Sequence, residues 1–274
     1  MLRSVLMKLM LSNRIGLLGL LAILPAAAQV ATTEISPRQH HPMHFHGMHD
    51  DGTVESENWS GYAVTGKQFT QAVGSWTVPA ATCTKGIGNL YSSFWVGIDG
   101  YSSNTVEQTG TDSDCHGATP LYYAWYEFYP KASVLISSLT ISPGDEMMAE
   151  VSYSGNEFTV TITDHNTGQT FSASSKVAGA QRTSAEWIAE APCCTQSGGI
   201  LPLADFGIVS LGEDYTGLNT TNVATDSTTT GAIGTFPKNK VNGITMVSSG
   251  GVTEAVPGAL TSDKTSFQVT WVSQ

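Results

Sequence analysis

The chain has 274 residues, of which 41% are hydrophobic and 13% charged, enough apolar material for a sizeable core and too much for a wholly disordered chain. Its formal net charge of −11 argues against nucleic acid as a partner. So few charged groups leave few carboxylate–cation pairs for acid to break, a composition compatible with folding at low pH.

Residues 1–14 carry Arg3, Lys8 and Arg14 and no acid, and lead into the apolar run 15–24 and then Pro25-Ala26-Ala27-Ala28. That order predicts a secretory signal peptide over 1–28, an exported protein, and no membrane association after its removal. The run is shorter than the ~20 apolar residues that span a bilayer. Residues 29–52 follow as a pro-segment or linker that holds five of the seven histidines, with Met43 and Met48 among them. Imidazole and thioether suit a soft metal, but no cysteine or carboxylate frames a site. The expectation is therefore a disordered segment and no metal or cofactor. A third reading has protonated histidines docking the segment in an acidic cleft before removal.

Residues 53–274 show no long 3.6-residue period. Period-2 runs recur between Gly, Pro, Asn and Ser clusters, which predicts an all-β domain of two packed antiparallel sheets. Ala149, Val151 and Tyr153, a turn at 154–156, and Phe158, Val160 and Ile162 form the clearest hairpin. Phe267, Val269 and Trp271 alternate in a last strand, and 219–232 reads as a surface loop. Four cysteines in an exported chain predict two disulfides. Adjacent cysteines rarely bond to each other. Cys83 or Cys115 is thus expected to reach Cys193 or Cys194, with a Cys83–Cys115 bridge equally open; no CxxC spacing suggests zinc.

Strand alternation places polar and aromatic residues together on one face in four segments. These are Trp95, Gly97 and Asp99; Val106 and Gln108, with Glu107 turned the other way; Trp125, Glu127 and Tyr129; and Glu186, Ile188 and Glu190. Neighbouring strands presenting such faces would make a groove walled by aromatics and floored by acids. Trp59, Trp76 and Trp187 read as core.

TVESENWSGYAV (53–64), FWVGIDG (94–100), EQTG (107–110), AWYEFYP (124–130), ISPGD (141–145) and AEWIAE (185–190) resemble, in order and spacing, the motifs of the glutamic peptidases, or eqolisins. The resemblance covers about 53–192. It implies a concanavalin-like β-sandwich whose concave sheet takes an extended polypeptide substrate. It also implies a catalytic pair, Gln108 and Glu190, with Trp95, Asp99, Asp112, Trp125, Glu127, Tyr129 and Glu186 in the cleft. The family usually has an apolar residue where this chain has Glu107, an outward position expected to tolerate the change.

The chemistry follows from the residue types. A carboxylate with an ordinary pKa near ~4.3 is partly ionised in mild acid and takes a proton from water, while a neutral amide donates to a developing oxyanion at any pH. Asp99, Glu127 and Glu186 are expected to tune Glu190 by repulsion and shared hydrogen bonds. Without the motifs, the same acids and aromatics also suit a β-sandwich glycosidase or a lectin. Against the first stands the ~13 Å from Glu186 to Glu190 along an ideal strand, beyond the roughly 5–9.5 Å that sugar cleavage uses. The protein is expected to be a monomer.

Overall fold

The computed structural model describes residues 36–49, 53–194 and 199–274. The expected signal peptide over 1–28, and the parts of 29–52 before residue 36 and over 50–52, lie outside the described residues.

The strands are β1 (Phe45–Met48), β2 (Val54–Ser56), β3 (Trp59–Thr65), β4 (Gln71–Thr77), β5 (Asn89–Leu90), β6 (Ser93–Ile98), β7 (Val106–His116), β8 (Thr119–Tyr129), β9 (Val134–Leu135) and β10 (Glu146–Ser154). There follow β11 (Glu157–Asp164), β12 (Gln169–Ser175), β13 (Ser184–Glu190), β14 (Ile208–Leu211), β15 (Val223–Thr225), β16 (Thr230–Ala232), β17 (Val241–Val247), β18 (Thr253–Pro257) and β19 (Phe267–Trp271). One helical turn, α1 (Glu213–Thr216), follows β14.

Hydrogen bonds join the strands into one continuous sheet, antiparallel except where β2 pairs with β17. One half runs β1-β2-β17-β3-β13-β6-β7-β8-β9, the other β18-β19-β14-β4-β10-β11-β12, and the β17–β18 pairing connects them. The sheet folds back on itself, so that β6 and β7 lie over β4, β10 and β11 with no ladder between them. Between the two halves Phe94, Val96 and Ile98 of β6 and Ala185, Trp187 and Ala189 of β13 meet Trp76, Met147, Ala149 and Val151. Because side chains alternate across a strand, the same β6 and β13 present Trp95, Glu186, Ile188 and Glu190 on the face turned away from that core.

The 149–162 hairpin forms as its pattern predicts, with Val151 opposite Val160. Its two-residue loop needs φ > 0 twice, and Gly155 and Asn156 have φ of 59° and 66°. Residues 219–232 differ from the expected surface loop: β15 and β16 make a hairpin on β4, with Thr221 and Asn222 buried beneath it. Ser75 Oγ donates to Thr221 Oγ1 at 2.9 Å. Short polar side chains read as loop because their partners lie elsewhere in the chain.

The cysteine expectation is corrected in part. Cys83 bonds Cys115, with Cα atoms 5.4 Å apart, because β5 lies beside β7 and gathers both into a small cluster with Leu90 and Ala204. Cys193 and Cys194, outside that cluster, bond to each other. The expectation of disorder over 29–52 is corrected for residues 36–49. These residues lie along the sheet, where Gln39 pairs with Cys193 and β1 with β2.

Candidate active site

Four adjacent strands, β13, β6, β7 and β8, set the site. Their register aligns Trp95 with Ile188, Gly110 and Trp125 in one row, Gln108 with Gly97 and Glu127 in another, and Glu190 with Ser93 and Asp112 in a third. Two glycines make room for this face. A Cβ on Gly97 would lie 2.9 Å from the Trp95 ring and 3.3 Å from Gln108 Cβ, and one on Gly110 would strike Trp95 and the Phe94 carbonyl.

Glu190 is fully buried. Its Oε2 accepts from Trp95 Nε1 at 2.8 Å and lies 3.1 Å from His40 Nδ1, and its Oε1 accepts from the His41 backbone N–H at 3.2 Å. Burial pushes its pKa up to about 8, and the donated hydrogen bonds pull the other way. Glu127 Oε2 accepts from Gln108 Nε2 at 3.0 Å and from the His40 N–H at 3.1 Å. Burial first, then the Glu190 charge, holds Glu127 well above the usual carboxylate range.

Behind this pair, Tyr123 Oη lies 2.7 Å from Asp112 Oδ2 and 2.8 Å from Asp114 Oδ2. A phenol has one proton to donate, so for both contacts to be hydrogen bonds one carboxyl must be protonated. Asp114 is the natural holder, since burial and then the Asp112 charge keep it well above its ordinary value. Asp112 accepts from Trp125 Nε1 at 2.6 Å and so fixes that indole, on which the His40 ring stacks at 3.5 Å and 8°.

The structure therefore brings Gln108, Glu190, Glu127, Trp95, Trp125 and Asp112 together, with Tyr129 at the margin, its ring 5.1 Å from that of His41. Asp99 and Glu186 belong to a second group. The Asp99 carboxylate accepts the N–H groups of Gln181, Arg182 and Thr183 at 2.7–2.9 Å and anchors the turn into β13. Glu186 is buried and held high by burial, with Asp99 and Glu107 adding repulsion. Asp99 and Glu186 stand apart from Glu190, with four residues of strand between Glu186 and Glu190, while Glu127 and Glu190 repel each other directly. Glu107 does not face solvent as expected. It is buried on the other side of β7, and burial and Asp99 push it up to about 9.

Sequence reasoning missed three contributors. Trp59, read as core, lies in the cleft cluster and donates Nε1 to the His41 carbonyl at 3.1 Å. Asn58 donates to the carbonyls of His41 and Pro42 and accepts the His44 N–H at 2.7 Å. His40 reads in the sequence only as one histidine of a tract; in the structure its buried ring lies between Trp125 and Glu190, and burial lowers its pKa to about 4, against the expectation of a protonated histidine in the cleft. His41, Cys193 and Cys194 hold donor atoms within 4.8 Å of one another, but both sulfurs are engaged in the disulfide.

The family model described as the Peptidase A4 family matches residues 57–255. The chain belongs to the Peptidase A4 family. Among its relatives, Aspergillopepsin-2 of Aspergillus niger is 34% identical over 186 residues, covering 58% of this chain and 65% of the relative. Scytalidopepsin B of Scytalidium lignicola is 34% identical over 178 residues, covering 63% and 66%. The match thus spans just under two thirds of the length of either relative. The fold of this Peptidase A4 chain is similar to that of scytalido-glutamic peptidase solved with a peptide-based transition-state analog. The TM-score is 0.63 at 24% identity, covering 79% of this chain and 98% of that one.

Proposed function

We propose that this chain is a secreted glutamic endopeptidase, active in acid, that hydrolyses peptide bonds of extended polypeptides with Glu190 and Gln108. One observation carries the reading. The two side chains, from β13 and β7, reach the same peptide unit, Gln108 Nε2 lying 3.5 Å from the His40 carbonyl oxygen and Glu190 Oε1 3.2 Å from the His41 nitrogen. A group that polarises a carbonyl and a group that serves the amine leaving from it are what amide hydrolysis requires. Family membership and the peptidase names of the relatives support the same reading. Secretion rests on the charge, apolar run and small residues of 1–28.

In the mechanism, ionised Glu190 takes a proton from water as its oxygen adds to the carbonyl carbon. Gln108 donates to the oxygen that becomes negative. Glu190 then passes the proton to the nitrogen as the C–N bond breaks. Glu127 holds the Gln108 amide in place, and Trp95 holds Glu190. The pKa near 8 belongs to a Glu190 covered by residues 40 and 41; with solvent in their place the desolvation is relieved and the carboxyl returns toward its ordinary range.

The test is digestion of acid-denatured haemoglobin across pH 2–7, with a polysaccharide panel alongside. Acid-optimal proteolysis indifferent to EDTA is expected. Gln108→Ala should slow it ~10²–10³-fold and Glu190→Gln ~10²–10⁴-fold. Undiminished hydrolysis by Glu190→Gln would remove Glu190 from the mechanism.

A further inference from the structure

We propose that His41, Cys193 and Cys194 form a site for a thiophilic cation of the Zn²⁺ type, opened when a thiol reductant cleaves the Cys193–Cys194 disulfide. The inference stands apart from the peptidase reading above, because the chemistry at Glu190 and Gln108 uses none of these three side chains. Their donor atoms, two Sγ and one imidazole nitrogen, lie within 4.8 Å of one another. His41 Nε2 is 3.5 Å from Cys194 Sγ. On a tetrahedral zinc, a sulfur at about 2.3 Å and a nitrogen at about 2.0–2.1 Å stand ~3.6 Å apart, so imidazole and sulfur already keep the spacing that the ion needs. Two thiolates on one ion stand ~3.8 Å apart, a separation open to the sulfurs once the bond between them is broken. Two sulfurs and an imidazole suit Zn²⁺ or Cu⁺ and are a poor set for Mg²⁺ or Ca²⁺, which take oxygen.

The frame around these donors is held from both sides. The His41 carbonyl accepts from Trp59 Nε1 at 3.1 Å, its N–H donates to Glu190 Oε1 at 3.2 Å, and its ring lies 5.1 Å from that of Tyr129. Cys193 exchanges two backbone hydrogen bonds with Gln39, at 3.2 and 2.8 Å, which ties the segment that carries His41 to the chain just past β13. Ligands held in place before the ion arrives lower the cost of binding it. Cys193 is buried, while His41 and Cys194 are half-buried, so a small thiol and the ion reach the site from the Cys194 side. The histidine tract shows no cysteine framing it in the sequence because the one beside His41 comes 153 residues later.

Opening the site is thiol–disulfide exchange. A thiolate of a small dithiol attacks Cys194 Sγ, the S–S bond breaks, and Cys193 leaves as a thiolate that takes up a proton. The second sulfur of the dithiol then attacks the first, releases Cys194 and closes its own disulfide, so that two electrons pass from the dithiol to the protein. Zn²⁺ displaces the two thiol protons, and two thiolates balance its charge, with neutral His41 as the third ligand and water in the fourth position. In the oxidised chain both sulfurs are engaged in the disulfide.

The experiment reduces the full chain at pH 7 with dithiothreitol, removes the reductant without air, and titrates Zn²⁺ against a chromogenic chelator. One Zn²⁺ per reduced chain is expected, with none held as tightly by the unreduced chain. His41→Ala should weaken that binding at least ~10-fold, and Cys194→Ser should weaken it further. Cd²⁺ in place of Zn²⁺ should add the ultraviolet charge-transfer band of thiolate ligation in the wild type. The double variant Cys193→Ser/Cys194→Ser, reduced in the same way, measures whatever Cys83 and Cys115 bind. Zn²⁺ should raise the melting temperature of the reduced wild type and not that of the double variant, and the melting transition itself checks that each variant is folded. A reduced wild type that holds no Zn²⁺ overturns the site, as does equal binding by the unreduced chain or by the double variant. Binding undiminished in His41→Ala removes the imidazole and with it the three-donor site.

Discussion

The two faces of β13 are equally dry and do opposite things. All seven of its residues are fully buried, yet Ala185, Trp187 and Ala189 pack into the inter-sheet core while Glu186, Ile188 and Glu190 face the cleft side. On the first face burial is the stabilising force, roughly 25 cal/mol per Å² of apolar surface. On the second it opposes ionisation and leaves Glu186 and Glu190 with raised pKa values. A strand can thus carry fold and chemistry at once, because its period of two keeps the two sets of side chains apart.

The sharpest way to break this division is a pair of substitutions three residues apart. Trp187 fills the space against Gly74 and donates Nε1 to the Val73 carbonyl at 2.8 Å. Trp187→Ala should cost ~3–5 kcal/mol in urea unfolding, whereas Glu190→Gln should leave the unfolding midpoint unchanged or higher while proteolysis falls. A Glu190→Gln protein as unstable as Trp187→Ala would erase the distinction between the faces.

Next in size is the pH dependence of stability. Glu190 and Glu107 have folded-state pKa values of about 8 and about 9, raised from 4.5 chiefly by burial. The folded chain therefore binds more protons than the unfolded chain above pH 4.5. Their contribution is complete below 4.5 and is lost as pH rises toward 8 or 9, at up to ~1.4 kcal/mol per pH unit per group. The melting temperature should be higher at pH 4.5 than at pH 8.5, and Glu107→Gln should flatten part of that fall. A melting temperature that climbs steadily from pH 4.5 to 8.5 would contradict the burial of these acids as neutral groups.

Most of the fold was legible because alternation over single strands is a local signal. Ala149 to Ile162 and Phe267 to Trp271 carry it without help from distant residues. The cleft was legible for the same reason at Trp95, Gln108, Glu127 and Glu190. What escaped was whatever depends on a partner remote in the chain. Asp99 reads as a cleft acid until the N–H groups of 181–183 arrive on it, and Glu107 reads as outward until β4, β10 and β11 cover that side of the sheet. Trp59 reads as core until the His41 carbonyl takes its indole N–H, and Asn58 carries no signal of its own until the His44 N–H reaches it. Thr221 and Asn222 read as loop until β15 pairs with β4.

The finest test compares the cleft with the segment covering it. Around His40 stand Glu190 from β13, Glu127 from β8 and Asp112 from β7, with His41 and His44 on the segment itself. Burial lowers the His40 pKa to about 4, opposed by the Asp112 charge. Docking is then favoured above the free imidazole's 6.5 and is lost as pH falls from 6.5 through about 4. Glu190 has the opposite sign: its raised pKa favours docking in acid, and that contribution is lost as pH rises through about 8. Between about pH 4.5 and 6.5 the two slopes cancel; above that range docking weakens by up to about tenfold per pH unit as Glu190 ionises, and below it only the last part of the His40 loss remains. In Gln108→Ala protein the hydrogen-exchange protection of the Met43 amide should be level between about pH 4.5 and 6.5, fall steeply above that range and only slightly below it. Adding His40→Ala should turn that plateau into a continued rise as pH falls to about 4.5, since Glu190 still supplies its slope alone. Protection that stays level from pH 3 to pH 8 would mean that neither group senses the docked segment, and that the cover is held by Asn58, Trp59 and Gly100 alone.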